Sequence, residues 1–157
     1  MEETSQGAAG VEAFVTRVVD GDTFEARLDG EIVDVRLIGI DAPESVIPGE
    51  PVECFGPESS AFTERNLEHE DVLLEFDVQR IDPFGRTLAY VWKGRRLFNE
   101  DMVRQGFATV ATYPPNIAYV ERLVEAEKRA RHNDLGVWGA CLLPIDTGAD
   151  WRELGDA

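Results

Sequence analysis

The chain is 157 residues long with a formal net charge of −16, enough length for one domain with a hydrophobic core of its own. Its composition, 43% hydrophobic and 29% charged, is that of a soluble globular protein, and no apolar run approaches a membrane span. A field this negative argues against non-specific capture of a polyanion. The first ten residues are polar and small, with neither a basic start nor an apolar stretch, so no signal peptide is visible. The expected location is therefore the cytoplasm, or the cell surface or medium if a leader has been removed.

In chain order, residues 1–11 read as a disordered lead. Glu12 to Val19 is rich in β-formers and ends in the turn signal Asp20-Gly21-Asp22. Thr23 to Leu28 alternates, Asp29-Gly30 is a hairpin turn, and Glu31 to Ile40 continues as a strand, giving a three-stranded meander that closes at Asp41-Ala42-Pro43-Glu44. Residues 45–57 hold three prolines and two glycines and read as a loop, with Pro57 as the first helical residue. A helix is expected from Pro57 to His69, with Ala61, Phe62, Asn66 and Leu67 turned inward. Asp71 to Asp77 and Leu88 to Trp92 are the fourth and fifth strands, separated by a turn around Asp82-Pro83-Phe84-Gly85.

A second helix is expected with Asn99 as N-cap and Gly106 as its stop. Ala108 to Ala111 is a short extended piece and Pro114-Pro115-Asn116 a break. A third helix runs from Ala118 to Asn133, with Val120, Leu123, Val124 and Glu127 at helical spacing. Residues 12–140 thus form one domain, an α+β fold in which a five-stranded barrel of the oligonucleotide-binding (OB-fold) type carries three packed helices. Residues 141–157 read as an acidic tail. Cys54 and Cys141 fit no zinc spacing; they are either two free thiols or one disulfide tying the first helix region to the C-terminal segment.

The chemistry lies in short motifs. Asp22 follows a tight turn and Asp41 ends the third strand, so a curled meander can bring them together, with the Ala42 carbonyl as a further oxygen. Without imidazole or thiolate nearby, zinc is disfavoured against calcium or magnesium. Asp22 alone has a simpler reading, a turn residue bonding its own backbone. Arg36 stands in an otherwise apolar strand; it is either a cross-strand partner of Glu25 or Asp34 or a fork for a phosphate oxygen. Arg86, after a turn glycine, is either solvent-exposed or directed to the same place. Glu44, stiffened by Pro43, is placed to activate or orient a water beside a cation. Tyr113, beside two prolines, can stack on a base. Tyr90 and Trp138 read as core or near-core residues.

The segments Val18-Val19-Asp20-Gly21-Asp22-Thr23, Val35-Arg36-Leu37-Ile38-Gly39-Ile40-Asp41-Ala42-Pro43-Glu44, Phe55-Gly56-Pro57-Glu58-Ser59-Ser60-Ala61-Phe62-Thr63 and Asp82-Pro83-Phe84-Gly85-Arg86-Thr87-Leu88-Ala89-Tyr90 occur in one order. With Asn99 to Gly106 and Leu135-Gly136-Val137-Trp138, they make Phe14 to Gly139 resemble the staphylococcal nuclease (thermonuclease) family. That resemblance implies a five-stranded barrel with three helices and a calcium-dependent nuclease cutting DNA and RNA to leave 3′-phosphate ends. By the same resemblance Asp22, Asp41 and the Ala42 carbonyl hold the metal, Arg36 and Arg86 bind phosphate, Glu44 is the proposed general base and Tyr113 contacts base or sugar. The chain departs from the family pattern in having Pro83 in place of a lysine, Thr112 before Tyr113, a segment there one residue shorter, and Glu50 and Glu53 in a loop without lysine.

A DNA or RNA substrate, no membrane and a monomeric state are expected. The alternative is a catalytically inactive OB-fold module that binds nucleic acid or protein; retention of Asp22, Arg36, Asp41, Glu44 and Arg86 speaks for the enzyme. A third reading, a structural acidic protein, rests on net charge alone. The 31 acids, spread along the chain against 15 bases, are better explained as a surface adapted to high salt, where charge is screened within a few ångströms.

Overall fold

A computed structural model describes residues 10–44 and 53–141. Most of the expected lead, the loop over 45–52 and nearly all of the tail lie outside the described residues. The strands are β1 (Val11–Asp20), β2 (Thr23–Leu28), β3 (Glu31–Leu37), β4 (Ile40–Asp41), β5 (Asp71–Glu75), β6 (Thr87–Lys93), β7 (Arg96–Leu97) and β8 (Thr109–Val110). The helices are α1 (Gly56–Leu67), α2 (Phe98–Arg104), α3 (Val120–His132) and the four-residue α4 (Val137–Ala140).

The alternation seen in the sequence builds the barrel. β1, β2 and β3 form an antiparallel meander, β1 also pairs with β5, and β5 pairs with β6. The sheet closes where β6 returns parallel to β3, with Val35 opposite Thr87, Arg36 opposite Leu88 and Leu37 opposite Ala89. This is the five-stranded OB-type barrel expected, now with mixed strand directions. Closure removes free edges and encloses Val15, Phe24, Ala26, Val35, Leu37, Leu74, Ala89 and Val91. Met102 and Val103 of α2 and Leu123 and Ala126 of α3 extend the same core.

Several expected details differ. The third strand stops at Leu37 because Gly39 adopts φ +85°, and the chain resumes as β4, paired with β8. The positive φ favours glycine at Gly39, and an added Cβ would also lie 2.6 Å from Leu123 Cδ1 and push that side chain aside. Helix α1 starts at Gly56 and ends at Leu67, and buries Gly56, Ser59, Thr63 and Leu67, whereas Ala61 is exposed. In α3 the buried stripe is Leu123, Ala126 and Ala130; Val124 is 37% exposed, and Glu127 instead accepts the Val110 N–H at 2.9 Å. Tyr90 is core as expected, whereas Trp138 is only half-buried.

Asn99 is not a cap. The α2 cap position is Leu97, and Asn99 is fully buried: Oδ1 accepts the Val91 N–H at 2.9 Å, and Nδ2 donates to Ile38 O at 2.8 Å and Ala89 O at 3.5 Å. It braces α2 to β6 and to the turn that follows β3. Cys54 and Cys141 form a disulfide across a sequence separation of 87, worth up to about 4 kcal/mol through the entropy of the unfolded chain. Among the described residues no helix is long and apolar enough to cross a membrane.

Replacing Asn99 by Ala should destabilise the protein by about 2–4 kcal/mol in urea unfolding, since it strands one buried N–H and one or two carbonyls while leaving a small void. A loss under about 0.5 kcal/mol would mean that the brace contributes nothing beyond an ordinary surface contact.

Candidate functional site

Arg36 lies near the end of β3, where the parallel pairing with β6 closes the barrel. Its side chain is only 14% exposed. Nη1 donates to Leu37 O and Ile40 O, both at 2.8 Å, so the guanidinium ties the end of β3 to the start of β4. Nη2 lies 3.1 Å from Asp41 Oδ1 and 3.4 Å from Asp22 Oδ2. The arginine is therefore not the partner of Glu25 or Asp34; Glu25 faces Arg17 at 3.7 Å.

Asp22 sits in the turn from β1 to β2 and is buried. It does not bond its own backbone as a lone turn aspartate would. Oδ2 accepts the Ala42 N–H at 2.8 Å, twenty residues away in the chain, and Oδ1 accepts the Thr23 hydroxyl at 2.9 Å. Its own carbonyl accepts the Leu37 N–H at 3.0 Å. Asp41 is more open, with a side chain 55% exposed. Partial burial, then repulsion from Asp22, raises the Asp41 carboxyl above its ordinary value despite the opposing pull of Arg36.

Glu44 follows in irregular chain. A hydrogen bond shared with Asp20, then burial and the nearby charges of Asp20, Asp22 and Glu53, push its carboxyl up to about 7. Asp20 is itself buried and accepts the Ser60 hydroxyl at 3.1 Å. Four acidic side chains thus crowd the ends of β1 and β4, with Arg36 on one side. Two carboxylates converging on one guanidinium nitrogen form an oxygen-rich donor set of the kind that suits a hard divalent cation. Asp22, Asp41 and the neighbouring Ala42 carbonyl would be its protein ligands, with water completing the shell. Among the described residues no group of three or more His, Cys, Asp or Glu side chains is drawn together tightly enough to hold a metal by itself.

Arg86 occupies the other side of Arg36. Both line a cavity of about 420 Å³ with Leu88, Pro83, Phe84 and Tyr113. Arg86 is not simply solvent-exposed: Nε donates to Asp82 Oδ2 at 2.7 Å, and Asp82 Oδ1 accepts the N–H groups of Phe84 and Arg86 at 2.9 Å. Burial opposes ionisation of Asp82, but these bonds and the Arg86 charge outweigh it and hold the carboxyl below its ordinary value. With Nε occupied, the two Nη groups of Arg86 are left for the cavity. Tyr113 is 67% exposed on the rim. Its loop is fastened by Asn116, which exchanges two 2.8 Å hydrogen bonds with the backbone of Gln79, and by Asp77, which accepts the Ala118 N–H at 3.1 Å.

The family model described as staphylococcal nuclease homologue matches residues 34–140. The chain belongs to this family. It is 45% identical over 124 residues to a thermonuclease of Staphylococcus hyicus, covering 79% of this chain and 73% of that one. It is 41% identical to a thermonuclease of Staphylococcus intermedius, covering 87% and 82%. It is 32% identical to endonuclease YncB of Bacillus subtilis (strain 168), covering 82% and 62%.

In this member of the staphylococcal nuclease family, the structure brings Asp22, Arg36, Asp41, Ala42 and Glu44 into one cluster and sets Arg36, Arg86 and Tyr113 around one cavity. Arg36 belongs to both. Reading the sequence missed Asp20, Glu53, Asp82 and Asn116, the residues that fasten the others. The only available signal was Asp82, four residues before Arg86 across a Pro-Phe-Gly turn.

In metal-free protein, Asp22→Ala should cost about 1–3 kcal/mol in denaturant unfolding, because it leaves the buried Ala42 N–H without an acceptor. Asp41→Ala, which removes a half-exposed charge from a crowded cluster, should change stability by less than about 0.5 kcal/mol. Equal losses would show that the two carboxylates are not the inequivalent pair described.

Proposed function

We propose that the protein is a calcium-dependent nuclease that hydrolyses phosphodiester bonds of DNA and RNA and leaves 3′-phosphate ends. The observation that carries this reading is the position of Arg36: its Nη2 meets two carboxylates, and the residue also lines a cavity together with Arg86. On this reading a cation held by Asp22 and Asp41 would lie beside a phosphate held by Arg36 and Arg86, as metal-assisted cleavage of a diester requires. The names of the relatives, thermonuclease and endonuclease, support the same reading.

In the proposed reaction the scissile phosphate sits between Arg36 and Arg86. Planar guanidinium forks match phosphate oxygens in pairs, and in this cavity they oppose the charge that builds on the equatorial oxygens as water attacks phosphorus. A bound calcium ion would supply further positive charge to a phosphoryl oxygen and favour ionisation of water. Glu44 takes the proton of the attacking water. The bond between phosphorus and the 5′ oxygen breaks, the 5′ oxygen takes a proton from solvent water to leave as a hydroxyl, and the phosphate remains on the 3′ side. Tyr113 offers an exposed aromatic face for a base, which favours single-stranded or frayed substrate over intact duplex. Pro83 leaves this end of the cavity without the positive charge a lysine would bring.

Cleavage of single-stranded DNA should require calcium and stop on chelation. Arg36→Ala, Arg86→Ala and Glu44→Ala should each lower kcat by about two to four orders of magnitude with the circular dichroism spectrum unchanged. Full activity in any of the three removes the role assigned to that residue, and binding of DNA without any cleavage would establish the inactive module instead.

The acidic surface is proposed as an adaptation to high salt. Activity should persist or rise from low to multimolar salt; a steep fall on a logarithmic scale would be ordinary counterion release and would end that reading.

A further inference from the structure

Glu44 lies beyond the last residue of β4, in chain with no regular structure. Both of its backbone polar groups are nevertheless engaged. The Glu44 N–H donates to Glu53 Oε1 at 2.9 Å, and the Glu53 N–H donates to Glu44 O at 3.1 Å. The next residue, Cys54, is bonded to Cys141 at the end of α4. The α4 end is in turn fixed to the barrel: Val137 N–H donates to Gly106 O at 2.9 Å. The next residue, Phe107, stacks on Phe55 and Phe62, and its carbonyl accepts the Ser59 hydroxyl at 2.6 Å. A continuous path of covalent and hydrogen bonds therefore runs from the helical side of the molecule to the backbone of Glu44.

We propose that the Cys54–Cys141 disulfide and Glu53 form a clamp that positions Glu44, so that turnover depends on the oxidation state of the disulfide. Glu53 is the positioning residue, and the disulfide holds Glu53 in register. The inference rests on the role of Glu44 proposed above. Cys54 is exposed, so a dithiol can reach it. Reduction breaks the S–S bond, converts the two sulfurs to thiols with uptake of two protons and two electrons, and oxidises the dithiol to its own disulfide.

The clamp predicts a specific kinetic signature. Arg36 is held by Leu37 O and Ile40 O, and Arg86 by Asp82. None of those bonds passes through Glu53 or the cystine. Loss of the clamp should therefore lower kcat and leave substrate binding nearly intact.

The test uses the full chain, oxidised or treated with dithiothreitol, at a temperature where circular dichroism shows the reduced form to be folded. Calcium-dependent cleavage of single-stranded DNA is followed together with amide hydrogen exchange at Glu44 by NMR. Reduction should lower kcat by about tenfold to a hundredfold, with KM changed less than about twofold, and should speed Glu44 amide exchange by about tenfold or more. The Cys54→Ser/Cys141→Ser variant should behave like the reduced protein and ignore dithiothreitol. Glu53→Ala should match it, and Glu53→Gln, which keeps an oxygen acceptor, should recover most of kcat. The clamp is overturned if Glu44 exchange and kcat are indifferent to reduction, or if kcat falls only in proportion to the folded fraction. Absence of cleavage by the oxidised protein overturns the nuclease reading and the catalytic part of the clamp with it. Faster Glu44 exchange on reduction would then stand as a structural effect alone.

Discussion

The fold and the site depend on the same guanidinium. Where β3 ends, four backbone and side-chain demands meet: two carbonyls at the β3–β4 turn need donors, and two carboxylates need a counter-charge. Arg36 satisfies them with one planar group. A lysine could not, because a single ammonium cannot present parallel donors to Leu37 O and Ile40 O and still face Asp22 and Asp41. The parallel closure of β3 on β6 places this group beside the turn that carries Arg86. Barrel closure is thus what brings two arginines fifty residues apart to the lining of one cavity.

The whole-chain charge of −16 is compatible with that site because electrostatics acts locally. Within a Debye length of about 8 Å at physiological ionic strength, the field in the cavity is set by Arg36 and Arg86 and by their own counter-charges Asp22, Asp41 and Asp82. The distant acids act on approach and so on the rate of encounter rather than on the bound geometry. Elsewhere arginines are tied up in structure: Arg96 and Arg104 meet Asp101, Arg122 meets Glu100, and Arg80 lies over Phe76. The cavity arginines differ in combining partial burial with a fixed orientation, Arg36 through both of its Nη groups and Arg86 through Nε.

The barrel was legible because alternation and turn residues report directly on half-buried strands, and Asp22, Arg36, Asp41, Glu44 and Arg86 stood out because each sits near a strand end or turn. What escaped was set by tertiary context. The run Leu37-Ile38-Gly39-Ile40 is apolar enough to read as continuous strand, and only the positive φ of Gly39 in the folded chain marks the turn. Asn99 carries the local signature of a helix cap, yet its amide reaches Ile38, sixty-one residues away. Val124 and Ala126 exchange places relative to expectation because the small Ala126 and Ala130 let α3 approach the barrel closely, a choice periodicity alone does not make. Cysteine spacing left thiols and a disulfide equally open; only the folded proximity of Cys54 and Cys141 decides it.

The acidic cluster is assembled by the fold itself. Asp20, Asp22, Asp41 and Glu44 are held near one another by bonds that do not depend on any ion: Ala42 N–H to Asp22, Ser60 to Asp20, and Glu53 to the Glu44 backbone. The fold therefore bears the repulsion in advance, as the raised carboxyls of Asp41 and Glu44 record. A divalent cation entering this cluster relieves that repulsion, so part of its binding free energy is already stored in the protein. Pre-organisation of this kind also keeps Arg36 from collapsing fully onto either aspartate, since its second nitrogen remains committed to Leu37 O and Ile40 O. The same two hydrogen bonds that fix the strand junction thus hold the guanidinium between its carboxylates and the cavity.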